Sequence, residues 1–201
     1  MAETEIFERI KNSILSLSDY LSFTLKVSGE VSTLKGVLKV PLNGSVISDR
    51  NAKEVLLQGE IAVLNYSFKG YYHNQNGAVS AALNDKEEKF SGEPIDIASI
   101  LQGVQSFLST HYDEINESEN VITLVLKKDV SYDLMRELGF NVALVDKYLK
   151  EINVYDIAFT IGERSFDSIA IRADAKLEGI PVDALVKIDL EDINKSKISG
   201  Q

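Results

Sequence analysis

The sequence predicts an α+β fold in which an antiparallel sheet carries helices gathered on one face. Three observations predict it. Apolar residues recur at spacings of three and four near the start and again in the middle of the chain. They alternate at every second position in several other stretches, most regularly between Tyr155 and Leu190. Turn signals such as Asn76-Gly77 stand between alternating runs, which makes neighbouring strands hairpin partners.

In chain order, Ile6, Ile10, Ile14 and Leu17, with Phe7 beside them, predict an amphipathic helix over Thr4–Leu17. From Leu21 the period becomes two: Phe23, Leu25 and Val27 alternate with Ser22, Thr24 and Lys26. Ser28-Gly29-Glu30 reads as a turn or bulge. Leu34–Val40 resumes β character, and Pro41 with Asn43-Gly44 reads as its stop. Glu54–Leu64, Asn65–His73 and Ala78–Leu83 follow as strands, and Asn84-Asp85-Lys86 turns the chain. Asn76-Gly77 suits a type I′ hairpin turn, because both residues tolerate positive φ. Tyr66, Phe68 and Tyr72 share one face of their strand, with Tyr71 on the other.

Asp96 is a good N-cap for a helix whose stripe runs Ile97, Ile100, Leu101, Val104, Phe107, Leu108 and Ile115. Asn116–Asn120 reads as a polar turn and Val121–Leu126 as a short strand. Ser131 caps a segment Tyr132–Leu138 that Gly139 ends, and Asn141 opens a further helix through Ile152. Tyr155–Ile161, Ile169–Leu177 and Val182–Leu190 form a three-strand meander with one oily and one mostly polar face. No Pro/Gly/Ser-rich linker or charge run divides the chain, so residues 1–201 are expected to form one domain.

Composition removes whole classes of function. With a formal net charge of −10, the chain lacks the basic surface that nucleic-acid binding requires. It contains no cysteine, which removes disulfides, thiolate metal sites and cysteine nucleophiles. His73 and His111 form no H-E-x-x-H pair, no Ser lies in G-x-S-x-G, and neither Lys35-Gly36 nor Lys69-Gly70 opens a phosphate loop. Asp189–Asn194 is rich in oxygen ligands but lacks the central Gly and distal Glu of a calcium loop. No catalytic residue, metal ligand or cofactor site is therefore expected. The polar start Met1–Glu5 carries no leader. The expectation is either a cytosolic protein or one whose leader, and any lipid-bearing cysteine, precede this stretch.

The oily sheet face leaves two readings open. If the helices pack down tightly it is simply core; if the sheet is strongly curved, the helices roof a cavity that takes an acyl chain, each buried methylene contributing about 0.8 kcal/mol. The element order Ile6–Leu17, Phe23–Leu83, Asp96–Ile152, Tyr155–Leu190 resembles the bacterial lipoprotein-carrier superfamily of LolA-type chaperones and LppX/LprG-type lipid-carrying lipoproteins. The resemblance implies a curved antiparallel half-barrel with helices on its concave face. It also implies a non-enzymatic, extracytoplasmic, membrane-anchored lipoprotein that binds a lipid or acyl chain. Candidate wall positions are Ile100, Val104, Phe107, Leu138, Tyr155, Ile157, Phe159 and Ile161. The alternative is a protein-interaction module with a solid core, for which Tyr71 and Tyr72 form the best patch.

Overall fold

The computed structural model describes residues 3–33, 38–63, 66–137, 149–177 and 179–195. Helix α1 (Glu3–Leu15) runs into a 3₁₀ turn, Ser16–Asp19. Six strands follow: β1 (Ser22–Thr33), β2 (Leu38–Asp49), β3 (Glu54–Val63), β4 (Tyr66–Gln75), β5 (Ala78–Leu83) and β6 (Lys86–Ser91). Then come α2 (Ile97–His111), β7 (Tyr112–Ser118), β8 (Val121–Leu126) and α3 (Ser131–Glu137). Strands β9 (Leu149–Ile161), β10 (Phe166–Leu177) and β11 (Ile180–Glu191) complete the described chain.

All of these strands join one antiparallel sheet of eleven strands, ordered β6-β5-β4-β3-β2-β1-β11-β10-β9-β8-β7, which does not close. The long β1–β11 ladder, from Thr24↔Glu191 to Thr33↔Val182, fuses the early hairpins to the late meander. Helices lie against the part of the sheet formed by β7 to β10. Ile6, Ile10 and Ile14 of α1, Phe107 and Leu108 of α2, and Leu134 of α3 pack on Ile122, Leu124, Ile157 and Phe159. This zone is filled: Leu124 is 0% and Phe159 2% exposed. A smaller cluster of Leu17, Phe23 and Phe166 continues it to β1. The Asp96 carboxylate caps α2 as expected, accepting from the Ala98 and Ser99 amides.

Several expectations are corrected. Ser28-Gly29-Glu30 is neither turn nor bulge, because β1 runs straight through it. A Cβ at Gly29 would stand 2.5 Å from the Leu185 carbonyl oxygen, so glycine serves close approach between strands. Pro41 and Asn43-Gly44 do not stop β2. Pro41 pairs with Glu30 on β1, while the β2–β3 ladder begins only at Leu42, so no β3 partner needs its missing N–H. Ile115 lies in β7 rather than on the α2 stripe, and Asn116–Ser118 is strand, with only Glu119-Asn120 turning. Lys86–Ser91 is a strand that the alternation did not mark. The second part of the expected helix pair is contradicted over Leu149–Ile152, which begins β9; residues 138–148 lie outside the described residues. The Asn76-Gly77 turn is confirmed, with φ of 49° and 93°.

Candidate functional site

Strand register carries the apolar face past the helices. One row crosses the sheet as Ile157, Ile171, Val186, Gly29, Leu42 and Ile61. The next runs Phe159, Ile169, Ile188, Val27, Gly44, Gly59, Gly70 and Leu83. A third runs Leu190, Leu25, Val46, Leu57, Tyr72 and Ala81. All three lie on the face that the helices cover, because alternate residues of a strand share a face.

Exposure rises along these rows. Phe159 is sealed beneath the helices, whereas Leu57 is 38%, Ile61 41% and Leu83 62% exposed. Large apolar side chains in a contiguous exposed patch mark a binding surface more often than isolated ones do. Glycine shapes this patch. Gly44, Gly59 and Gly70 sit directly opposite one another on β2, β3 and β4. They leave a strip without side chains between the Leu42–Ile61 row and the Val46–Leu57–Tyr72 row. A Cβ at Gly44 would meet the Gln58 carbonyl oxygen at 2.7 Å, so larger residues would push the strands apart there. The strip is a trough with apolar banks and a hydrogen-bonded backbone floor.

The expected wall residues divide between core and edge. Phe107, Ile157 and Phe159 are buried in the main cluster, and Val104 and Ile161 pack against it half-buried. Ile100 is half-buried on α2, and Leu138 lies outside the described residues. Tyr155 departs from its expected company. A register shift between β9 and β10 at Arg172/Ala173 leaves it outside the alternation of Ile157 and Phe159. Its ring lies 5.8 Å from the Arg172 guanidinium, which also donates to the Asp156 carboxylate on the polar face. That carboxylate holds the guanidinium above its ordinary value. The residues that alternation alone could not single out are those of the trough. Their signal was register: Gly44, Gly59 and Gly70 align only once the hairpins are paired.

Elsewhere the two histidines differ. His111 stacks on Phe107 with ring centroids 4.1 Å apart, and its Nδ1 lies 2.8 Å from the Phe107 carbonyl oxygen. His73 lies on the polar face with its Nε2 3.8 Å from the Glu54 carboxylate, too far for a hydrogen bond, and that buried nitrogen has no hydrogen-bond partner among the described residues. Among the described residues, no group of three His, Asp or Glu side chains is placed to hold a metal ion, and no helix is long and apolar enough to cross a membrane. Two clefts stand out. One, of about 190 Å³, lies between the 3₁₀ turn, the β2–β3 connection and the start of α2, with Phe23 and Val55 in its wall. The other, of about 570 Å³, opens on the polar face behind the glycine row.

Comparison with known proteins adds the fold's kinship. LprF from Mycobacterium bovis superposes with a TM-score of 0.50 at 8% identity, over 99% of this chain and 97% of that one. The chain shares the LprF fold. Other solved structures it resembles are the Mycobacterium tuberculosis lipoprotein LppX (TM-score 0.47, 12% identity, 99% and 100% covered) and an outer membrane lipoprotein-sorting protein domain from Vibrio parahaemolyticus (TM-score 0.35, 5% identity, 94% and 95% covered). The likeness to LprF is one of fold, over nearly the whole of both chains. No family model matches the sequence, and no curated protein matches it.

Proposed function

We propose that residues 1–201 form a single LolA/LppX-like domain that binds or carries a lipid or acyl chain. No catalytic chemistry is involved. The domain works at the outer side of a bacterial membrane as an anchored lipoprotein, with helices on the concave side of a curved sheet. The observation that carries the reading is the apolar face that continues beyond the helices, where Leu57, Ile61 and Leu83 are open to solvent beside the glycine trough. An acyl chain lying there would bury methylenes worth about 0.8 kcal/mol each, enough for micromolar binding from roughly ten of them.

The test is native mass spectrometry of the purified chain, with lipid analysis of its organic extract and titration with a fluorescent fatty acid. Recovered lipid, or saturable probe binding at micromolar concentration, is the expected result. A folded protein that yields no lipid and binds no probe refutes the proposal. One observation favours a second reading, an interaction module with a solid core: the helix-covered zone is tightly filled around Ile10, Ile122 and Leu124. On that reading the same open face meets a protein, and the fatty-acid titration comes out negative.

A further inference from the structure

We propose that the β6 edge is the headgroup end of the trough, where Lys86 and Glu88 select an amphiphile with a zwitterionic head, a phosphate joined to an ammonium. The inference rests on the acyl-chain reading above and adds the direction in which the chain lies. Register supplies the geometry. The glycine row continues from Gly70 to Leu83 and then to Lys86. The row beside it runs from Leu57 through Tyr72 and Ala81 to Glu88. Direct cross-strand partners share a face, so Lys86 and Glu88 stand on the trough side of the sheet. The two ends of the glycine row differ. At one end Ile169 packs against the helix-covered cluster and Phe159 is sealed within it. At the other end every residue of β6 is exposed, and the apolar floor gives way to charge. An amphiphile keeps its chain from water and its head in it, so the chain points toward the helices and the head sits at β6. From Val27 on β1 to Lys86 on β6 the row spans about 24 Å at about 4.8 Å per strand. An extended chain of about 16 to 18 carbons fits that length, each carbon advancing about 1.3 Å for a bond of about 1.5 Å.

Charge names the head. On the opposite face of β6 the charges are already matched: Glu87 accepts from the Tyr71 hydroxyl at 3.0 Å and lies 3.4 Å from Lys89. On the trough side, Lys86 and Glu88 make no ion pair or side-chain hydrogen bond among the described residues. Guarding the edge against another strand requires charge of either sign, and leaves these two open to a ligand. They stand two residues apart on one face, about 7 Å along the strand, and both side chains are long enough to converge on one headgroup. An anionic head would gain Lys86 but meet Glu88, with Asp85 of the β5–β6 turn as a second acid nearby. A cationic head would meet Lys86. A zwitterion meets an opposite charge at each of its ends.

The test holds the chain constant and varies the head. Palmitoyl lysophosphatidylethanolamine, palmitoyl lysophosphatidylglycerol and monopalmitoylglycerol, each below its micellar concentration, compete with the fluorescent fatty acid for the full chain. The zwitterionic lipid should compete best, by about two- to fivefold, the size expected of exposed charge pairs. The preference should fade at about 0.5 M salt, where such pairs are screened. Lys86→Gln should bring the ratio of the zwitterionic to the uncharged lipid close to one. Glu88→Gln should shift the order toward the anionic lipid, which loses its opponent and keeps Lys86. Both side chains are exposed, so the variants should melt with the parent. The proposal is overturned if the three lipids compete equally in the parent, if the anionic one leads there, or if the order is the same in parent and both variants. Binding that is indifferent to the head sinks this inference and leaves the acyl-chain reading standing, whereas no binding of any lipid or of the fatty acid sinks both.

Discussion

Replacing Phe159 by alanine separates a packed core from a ligand cavity. Phe159 is 2% exposed and sits among Ile122, Ile169 and the side chains of α1 and α2. Truncating a phenyl ring in a filled core costs about 3–5 kcal/mol, from lost transfer energy plus the hole left behind. For a chain of this length each kcal/mol lowers the melting temperature by about 2–4 °C, so a fall of roughly 6–20 °C is expected. Leu57→Ala is the counterpart. Leu57 is 38% exposed on the open face, so its truncation should cost less than about 1 kcal/mol of stability. It removes apolar contact from the proposed trough, and fatty-acid affinity should fall about 5- to 30-fold, for roughly 1–2 kcal/mol of lost burial. Urea unfolding and the fluorescent titration measure the two effects independently. The reasoning is refuted if Phe159→Ala unfolds like the parent yet loses the fatty acid. The ligand would then lie between helices and sheet, and the open face would be incidental.

Other perturbations follow from the same geometry. Gly44→Val should destabilise by about 1–3 kcal/mol and reduce fatty-acid binding, because its Cβ would stand 2.7 Å from the Gln58 carbonyl oxygen and fill the trough; denaturant midpoints check it. Asn74→Ala should cost about 1–3 kcal/mol in urea unfolding, since the buried amide donates to the Glu93 carbonyl at 2.8 Å and accepts from the Gly77 amide at 2.9 Å. Asp96→Ala should lower the melting temperature at neutral pH. The Ser99 hydroxyl and amide hold the Asp96 carboxyl below its ordinary 3.8, so its contribution is present above that value and lost as pH falls through the lower folded value. Melting curves of parent and variant should therefore converge in strong acid and stay apart at neutral pH.

What could be read from the sequence follows burial. Strands β9 to β11, half-buried on one face, announce themselves by alternation, as do α1 and α2 by their stripes. The two strands that alternation failed to mark are β6 and β7, the two edges of the sheet. An edge strand in water has little apolar face to show. Lys86-Glu87-Glu88-Lys89 and Asp113-Glu114 carry instead the charges that keep an open edge from pairing with another chain. The misread stops in β1 and β2 have a different cause. Pro41, Asn43-Gly44 and Ser28-Gly29 have the composition of turns, and local propensity treats them so. In the sheet, Gly29 and Gly44 are required by a neighbouring strand, and a contact with residues over a hundred positions away, such as Gly29 with Leu185, leaves no local trace.

The same point explains why alternation marks wall positions beneath the helices. Ile157 and Phe159 stand out because they are the most regular apolar positions, and regularity marks what is most completely buried. A surface that must accept and release a ligand has to leave apolar side chains partly wet, and it needs room for the ligand beside them. Here that room is a row of absent side chains, Gly44, Gly59 and Gly70, drawn from three strands and aligned only by register. If the trough holds a chain, relocating this row by even one residue on a single strand should spoil it, because a shift of one carries a side chain to the opposite face. The exchange Gly59→Gln with Gln58→Gly keeps composition and charge while placing a long side chain in the trough. It should abolish fatty-acid binding. Equal binding by the parent and a folded exchange variant would show that the aligned glycines serve strand packing alone.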